Sequence, residues 1–422
     1  MTVQANCHEK ENYTWDPFTL TNTDGKNYTA TIWSMDSTCY VGYTSGCFWG
    51  PYIIEAIIPD EDVEKIGDSA LLSYKDRWIK IPKIFKTKPR ESGLSVCVAP
   101  LYWFSNWPRL IEFIEIWRVL GASKFYFYYQ SVTREVYEIF KEYEKLGIVE
   151  AMKAEVMPTD KESGFNPDSW LFRIGDRLFQ NDCLMRAKTK FAPYVDVDEM
   201  LIPQNNQTLL EFLEAEAKAN PDAGAFGFNH AGLQFDAEKM GHLKDSKADF
   251  DWRKLDHEWL KTAQWGNQWA MGKAVSMPDR VDLISIHYIA RAQFPYKQID
   301  VPHSKGVYYH SRINWAEKKK SDEKKDNKSL LYEPRLKSFF TDELVKTVHK
   351  NYQGIMENVG KSMGRKPYPS YEVFKILDKC LAGWRSYHKC SPYVMCYENL
   401  KNITEWVYAN PSDYESRDLI AL

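Results

Sequence analysis

From Leu94 onward the apolar positions of the chain switch between two periods. Leu94 to Leu101 is a short, nearly continuous apolar run of the kind a buried strand carries. Asn106 followed by Pro108 marks a helix start, and Leu110, Phe113, Ile114 and Trp117 recur at helical spacing until Gly121 stops the pattern. A second strand is predicted over Phe125–Tyr129. Thr133 then caps a helix through Leu146, Gly147 ends it, and Ile148–Val156 reads as a third strand. After a loop bearing Pro and Gly, one long helix is expected from Trp170 to Phe191, leading directly into a strand at Tyr194–Val197. Strands alternating with helices predict an α/β fold: right-handed crossovers and a mainly parallel sheet covered on both faces. Ligands of such sheets sit at the carboxyl ends of the strands.

The flanks follow other patterns. Residues 1–60 are rich in Thr, Tyr, Asn, Gly and Cys, with β-type runs at Tyr28–Trp33 and Tyr52–Ile58, so residues 1–90 are expected to form a small antiparallel β-rich region. Lys83–Gly93, basic and proline-containing, is the expected joint to a core over residues 91–315. The Lys-rich run Lys318–Lys328 then opens a helical, cysteine-bearing region over residues 316–422.

Composition narrows the function class. With 44% hydrophobic residues among 422, the chain is large enough for a sizeable core. A formal charge of −3 supplies no basic stripe for nucleic acid. No apolar run approaches the roughly 18 to 20 residues of a membrane span, so membrane attachment is expected only through an anchor outside this chain. The cysteines cluster toward the ends (Cys7, Cys39, Cys47, then Cys380, Cys390, Cys396), and sequons occur at Asn12, Asn27, Asn206, Asn327 and Asn402. Together they favour the oxidising secretory pathway. Cys97 and Cys183, inside predicted regular elements, are expected to be buried free thiols. Aromatic residues make up 15% of the chain, which suits a carbohydrate ligand, though rings more often serve the core.

The chemistry concentrates at Asp196-Val197-Asp198-Glu199. On an extended strand end, residues two apart project to one side, so both aspartates would converge while Val195 and Val197 face the core. Two convergent carboxylates make half of a hard-metal site that leaves positions open for phosphate oxygens. Alone, the same acids would merely cap a turn. Their place at the expected carboxyl end of a parallel strand favours a metal and nucleotide site.

The runs Cys97–Leu101, Glu115, Leu120–Tyr128, Gln180–Arg186 and Asp196–Glu199, in that order, resemble glycosyltransferase family 92, over roughly Ser69 to Arg312. The resemblance implies a GT-A type, Rossmann-like fold, an inverting mechanism, Mn²⁺ (or Mg²⁺) dependence and a Golgi or secreted setting. It also implies UDP-galactose as donor and a glycan or glycoprotein acceptor, such as the core fucose of N-glycans. An inverting transfer needs a carboxylate base across the sugar from the leaving group. Asp236, Asp256 and Glu258 are the alternatives, with Glu258 beside Trp259 foremost. His287, on an expected strand Val281–Tyr288, and His310, in Gly306–Arg312, are candidates to complete the metal shell. Asp182, Arg186 and Arg312 are candidates for the nucleotide, since guanidinium matches phosphate oxygens. Trp252, Trp259, Trp265 and Trp269 are expected to help form the acceptor pocket, core packing being the default for any one of them. A non-catalytic secreted carbohydrate-binding protein is the alternative function.

Overall fold

The computed structural model describes residues 2–6, 16–35, 47, 49–81, 84, 89–154, 157, 164, 166–203, 207–234, 250–255, 257, 259–262, 264–311, 331–332, 334–387 and 390–409. The N-terminal part forms a six-stranded sheet from β1 (Thr2–Asn6), β2 (Phe18–Thr21), β3 (Asn27–Ser34), β4 (Trp49–Ala56), β5 (Ala70–Tyr74) and β6 (Arg77–Ile81). Its order is β1-β4-β3-β2-β5-β6, and every pairing is antiparallel. Alternation explains it: Phe18, Ala30, Ile54 and Leu72 turn inward as one small apolar cluster, while intervening polar residues face water.

The larger sheet begins with β7 (Glu91–Val98), β8 (Ala122–Tyr129), the short β9 (Ser131–Thr133), which pairs elsewhere, and β10 (Val149–Lys153). Then come β11 (Thr189–Val195), β12 (Glu199–Pro203), β13 (Ala223–Gln234) and β14 (Gln264–Ser276). After β15 (Val281–Ile284) and β16 (Ile289–Ala292), a separate pair, β17 (Lys297–Val301) and β18 (Gly306–His310) rejoin it. The order is β10-β8-β7-β11-β14-β13-β18-β12. Its first half is wholly parallel, as expected for a Rossmann-like unit, and its second half mixed. This is the α/β, GT-A type architecture expected from the sequence.

Helix α1 (Trp107–Val119) follows β7, and the Asn106 side chain accepts from the Arg109 amide to cap it. Its apolar stripe, Leu110, Phe113, Ile114 and Trp117, packs into the main core, each residue contributing about 1.5–3 kcal/mol by burial. Its other face is buried as well. Val345, Tyr352, Met356 and Val359 of the helix Asp342–Met363 join the same cluster from more than 200 residues away. Helix α2 (Arg134–Lys145) links β9 to β10.

Three expectations change here. The long helix expected from Trp170 to Phe191 is interrupted: two 3₁₀ turns, Pro167–Trp170 and Phe172–Gly175, precede α3 (Asp176–Arg186). The cause is left-handed backbone at Arg173, Ile174 and Gly175, with φ of 45°, 57° and 79°. The following strand accordingly starts at Thr189 rather than Tyr194. The strand expected over Val281–Tyr288 stops at Ile284, leaving His287 beyond it. Finally, Cys97 and Cys183 are not free thiols but a disulfide between β7 and α3. Further disulfides join Cys47 to Cys390 and Cys380 to Cys396.

Candidate active site

Beyond the carboxyl end of β11 the chain turns back on itself within two residues. The Glu199 amide donates to the Asp196 carbonyl at 3.1 Å, and the Asp196 amide donates to a Glu199 carboxylate oxygen at 2.8 Å. Asp196 and Asp198 therefore sit on a tight turn, not on the extended strand end expected from the sequence. The Ser311 amide and hydroxyl, at 2.9 and 3.0 Å, both donate to the Asp198 carbonyl and fix the turn from the end of β18.

Polar side chains from three other strands converge on this turn. Lys273 on β14 places its ammonium 3.0 Å from Asp196 and 2.6 Å from Glu199. The neighbouring Gly272 lets β14 pass close against β13, because a Cβ there would lie 1.6 Å from the Phe228 carbonyl oxygen. His310 on β18 puts Nε2 3.1 Å from Asp198 and Nδ1 4.0 Å from Glu199. The rings of His310 and His230, the latter on β13, have centroids 4.8 Å apart. Ligand atoms of Glu199, His230 and His310 all lie within 4.8 Å of one another. Burial works against the ionised form of Asp196, yet Lys273 holds its carboxyl below the usual range. Burial pushes the Glu199 carboxyl up in spite of Lys273. Lys273 is lowered by burial but raised by more through Asp196 and Glu199, so it stays charged.

The turn forms part of the wall of a cavity of about 410 Å³. That volume falls in the range of small-ligand sites. Arg109, Arg173, Asp176 and Lys273 give the cavity a charged side; Tyr371, Phe374, Leu377 and Leu381 of the helix Tyr371–Tyr387 give it an apolar one. Arg109 is nearly fully buried, donates to the Ser311 hydroxyl and lies 3.5 Å from Glu112. Glu112 in turn is 2.5 Å from His257 Nδ1 and accepts from the Trp259 indole at 3.1 Å. A buried polar chain thus runs from α1 to the turn.

The other expected site residues fall as follows. His287 is exposed, with Nδ1 2.8 Å from the Gly272 carbonyl, and is not among the grouped ligand atoms. Arg186 and Asp182 bond each other at 2.6 Å along α3, and neither lines the cavity. Trp252 and Trp259 are 3% and 1% exposed and pack in the core with Tyr352, so neither offers a face to a sugar. Trp265 and Trp269 lie on β14, their side chains outside the described residues, as are Arg312 and all three base candidates, Asp236, Asp256 and Glu258. Sequence reading missed Glu199, His230, Lys273, Arg109 and Arg173 as site residues. Glu199 closes the acidic motif itself, and His230 is signalled, with Asn229, as a polar interruption of the apolar run Ala225–Leu233.

The sequence profile of glycosyltransferase family 92 matches residues 92–356. "Glycosyltransferase family 92 protein F13G3.3" of Caenorhabditis elegans is 23% identical over 224 residues, 52% of this chain and 42% of that protein. The chain thus matches less than half the length of that curated relative. Among solved structures, S. aureus TarS aligns over 70% of this chain and 44% of its own, at 12% identity and a TM-score of 0.30. The mannosyltransferase PcManGT from Pyrobaculum calidifontis, in complex with GDP-Man and Mn²⁺, aligns over 76% and 92%, at 12% identity and a TM-score of 0.28.

Proposed function

The chain belongs to glycosyltransferase family 92, and we propose that it is a metal-dependent, inverting galactosyltransferase taking UDP-galactose to a glycan acceptor such as the core fucose of N-glycans. The observation that carries the reading is the convergence of Asp198, Glu199, His230 and His310 on the cavity turn at the carboxyl end of the parallel strands. Mixed imidazole and carboxylate donors suit Mn²⁺ better than Mg²⁺, which favours oxygen-only shells. Such an ion, when bound, supplies charge to offset that developing on the departing diphosphate.

The chain's own residues do the rest. Asp196 stays ionised through Lys273, which keeps the turn's charge in place without metal. The acceptor hydroxyl oxygen attacks the anomeric carbon, and the bond from that carbon to the diphosphate oxygen breaks with its electron pair leaving on the diphosphate. The acceptor's proton passes to a carboxylate, for which Glu258 remains foremost, with Asp236 and Asp256 as alternatives. The acceptor approaches along the wall formed by Tyr371 and Phe374. Disulfides and the exposed sequon residues Asn27 and Asn402 support a secretory-pathway setting. Among the described residues no helix is long and apolar enough to cross a membrane.

The test is UDP titration with Mn²⁺ and with EDTA, followed by a panel of UDP-sugars. Binding should require the ion, and UDP-galactose alone should give turnover, with Asp198→Asn losing roughly 10²- to 10³-fold. UDP binding unchanged by EDTA would overturn the metal assignment; turnover of another UDP-sugar instead would overturn the donor.

A further inference from the structure

The interrupted helix before α3 holds left-handed backbone at two neighbouring non-glycine residues: Ile174, buried in an apolar cluster with Trp103 and Cys183, and Arg173, at the cavity. Among the described residues, Lys75, Trp103, Arg173, Ile174 and His257 have positive φ without being glycine, and Trp103 and Arg173 line the cavity. Ile174, β-branched and at φ 57°, adjoins Arg173. Left-handed backbone is unfavourable for such residues, and it persists where surrounding structure enforces it, often for function. The bracing here is visible. Leu171 forms a backbone bridge to Trp49 of the N-terminal sheet, and α3 is tied to β7 by the Cys97–Cys183 disulfide. Arg173 itself is exposed into the cavity. The protein mass around it disfavours its charge, but Asp176, Tyr102, Asp196 and Tyr194 together outweigh that and raise its pKa.

We propose that Arg173 clasps the donor's diphosphate, and that the left-handed bend is kept because it aims this guanidinium across the cavity toward the turn of Asp196 and Asp198. The proposal rests on the nucleotide-sugar reading of the cavity. Guanidinium presents two parallel N–H donors to phosphate oxygens, which a lysine ammonium does not. It gives the N-terminal sheet a role: holding the bend in register with the catalytic turn.

Arg173→Gly separates function from folding, because glycine suits a φ of 45°. Calorimetric titration with Mn²⁺ should show the Kd for UDP rising roughly 10- to 100-fold, that for uridine changing less than about twofold, and Tm unchanged or higher. Arg173→Lys should fall between wild type and glycine. UDP affinity within about twofold of wild type in Arg173→Gly overturns the proposal, and so does equal weakening of uridine. If the glycine variant melts early, Arg173→Lys carries the same contrast: a loss confined to UDP supports the proposal, and wild-type affinity overturns it. A wild-type protein that binds no UDP overturns the nucleotide-sugar reading first, and this proposal with it.

Discussion

Two bends line one cavity, and they are built on opposite principles. The turn at Asp196–Glu199 is closed by its own hydrogen bonds, fixed by Ser311 and paired with Lys273. The bend at Arg173–Gly175 carries two non-glycine residues in left-handed backbone and depends on braces from β4 and α3. One is held by polar saturation, the other by strain imposed from outside. Changing charge should therefore damage the first through stability, and the second through ligand affinity alone.

The largest expected effect follows at once. Lys273 and Glu199 are both about 95% buried, and removing one member of a buried pair leaves the other charge uncompensated. Lys273→Met should lower the unfolding free energy by about 3–5 kcal/mol, whereas the same measurement on Arg173→Gly should show no loss. Urea denaturation of the two variants side by side decides it. A Lys273→Met protein within 1 kcal/mol of wild type would mean that Glu199 is neutralised by His310 instead.

The two bends also differ in how legible they were. Asp196 and Asp198 announce themselves as a short motif after an apolar run, and the β-α-β half of the sheet follows from hydrophobic period alone. Arg173-Ile174-Gly175 has no such signature, since a β-branched residue argues against left-handed backbone. Lys273 and His230 come to the turn only through the register of β13 and β14, which shifts between Phe228 and His230. Arg109, Glu112 and Glu115 of α1 are buried because elements far along the chain cover them. Glu115 accepts from Tyr143 at 2.7 Å and from Asn351 at 2.6 Å. Trp252 and Trp259 were misleading for the same reason: their partner Tyr352 and Arg109 are remote in sequence. Disulfide pairing needs the distance between β7 and α3, which spacing does not contain.

A smaller effect probes the strained bend from beneath. Asp168, five residues before Arg173, is 4% exposed, and burial pushes its carboxyl up to about 7, although the Met157 amide donates to it at 2.7 Å. The folded protein thus retains a proton here that the unfolded chain releases near its ordinary value. Its contribution is full below pH 4 and is lost as pH rises through about 7, by about 1.4 kcal/mol per pH unit at most. Asp168→Asn should therefore match wild type at low pH and exceed it in stability above pH 7. A gap between the two proteins that does not vary with pH would show that Asp168 is ionised in the fold.

The smallest expected effect lies on the apolar side of the same cavity. If the turn and the bend together hold the donor, the helix Tyr371–Tyr387 is left for the acceptor, and it lies beyond residue 356, where the family match ends. Tyr371 and Phe374 present rings 5.8 Å apart at an interplanar angle of 12°, with the Lys375 ammonium 4.5 Å from the Tyr371 centroid. Both rings are half-buried, unlike Trp252 and Trp259, so part of each remains open to a ligand. A pyranose stacked there would lose one aromatic contact in Phe374→Ala, worth roughly a three- to tenfold rise in the acceptor KM. The donor KM and the Kd for UDP should stay at wild-type values, because no part of the ring reaches the turn's charges in this scheme. Steady-state kinetics varying each substrate in turn measures both. A rise in the donor KM alone would move the helix to the donor side and leave the acceptor to the segment around Trp265 and Trp269. A fall in kcat with both KM values intact would assign the helix to closing the cavity rather than to binding sugar.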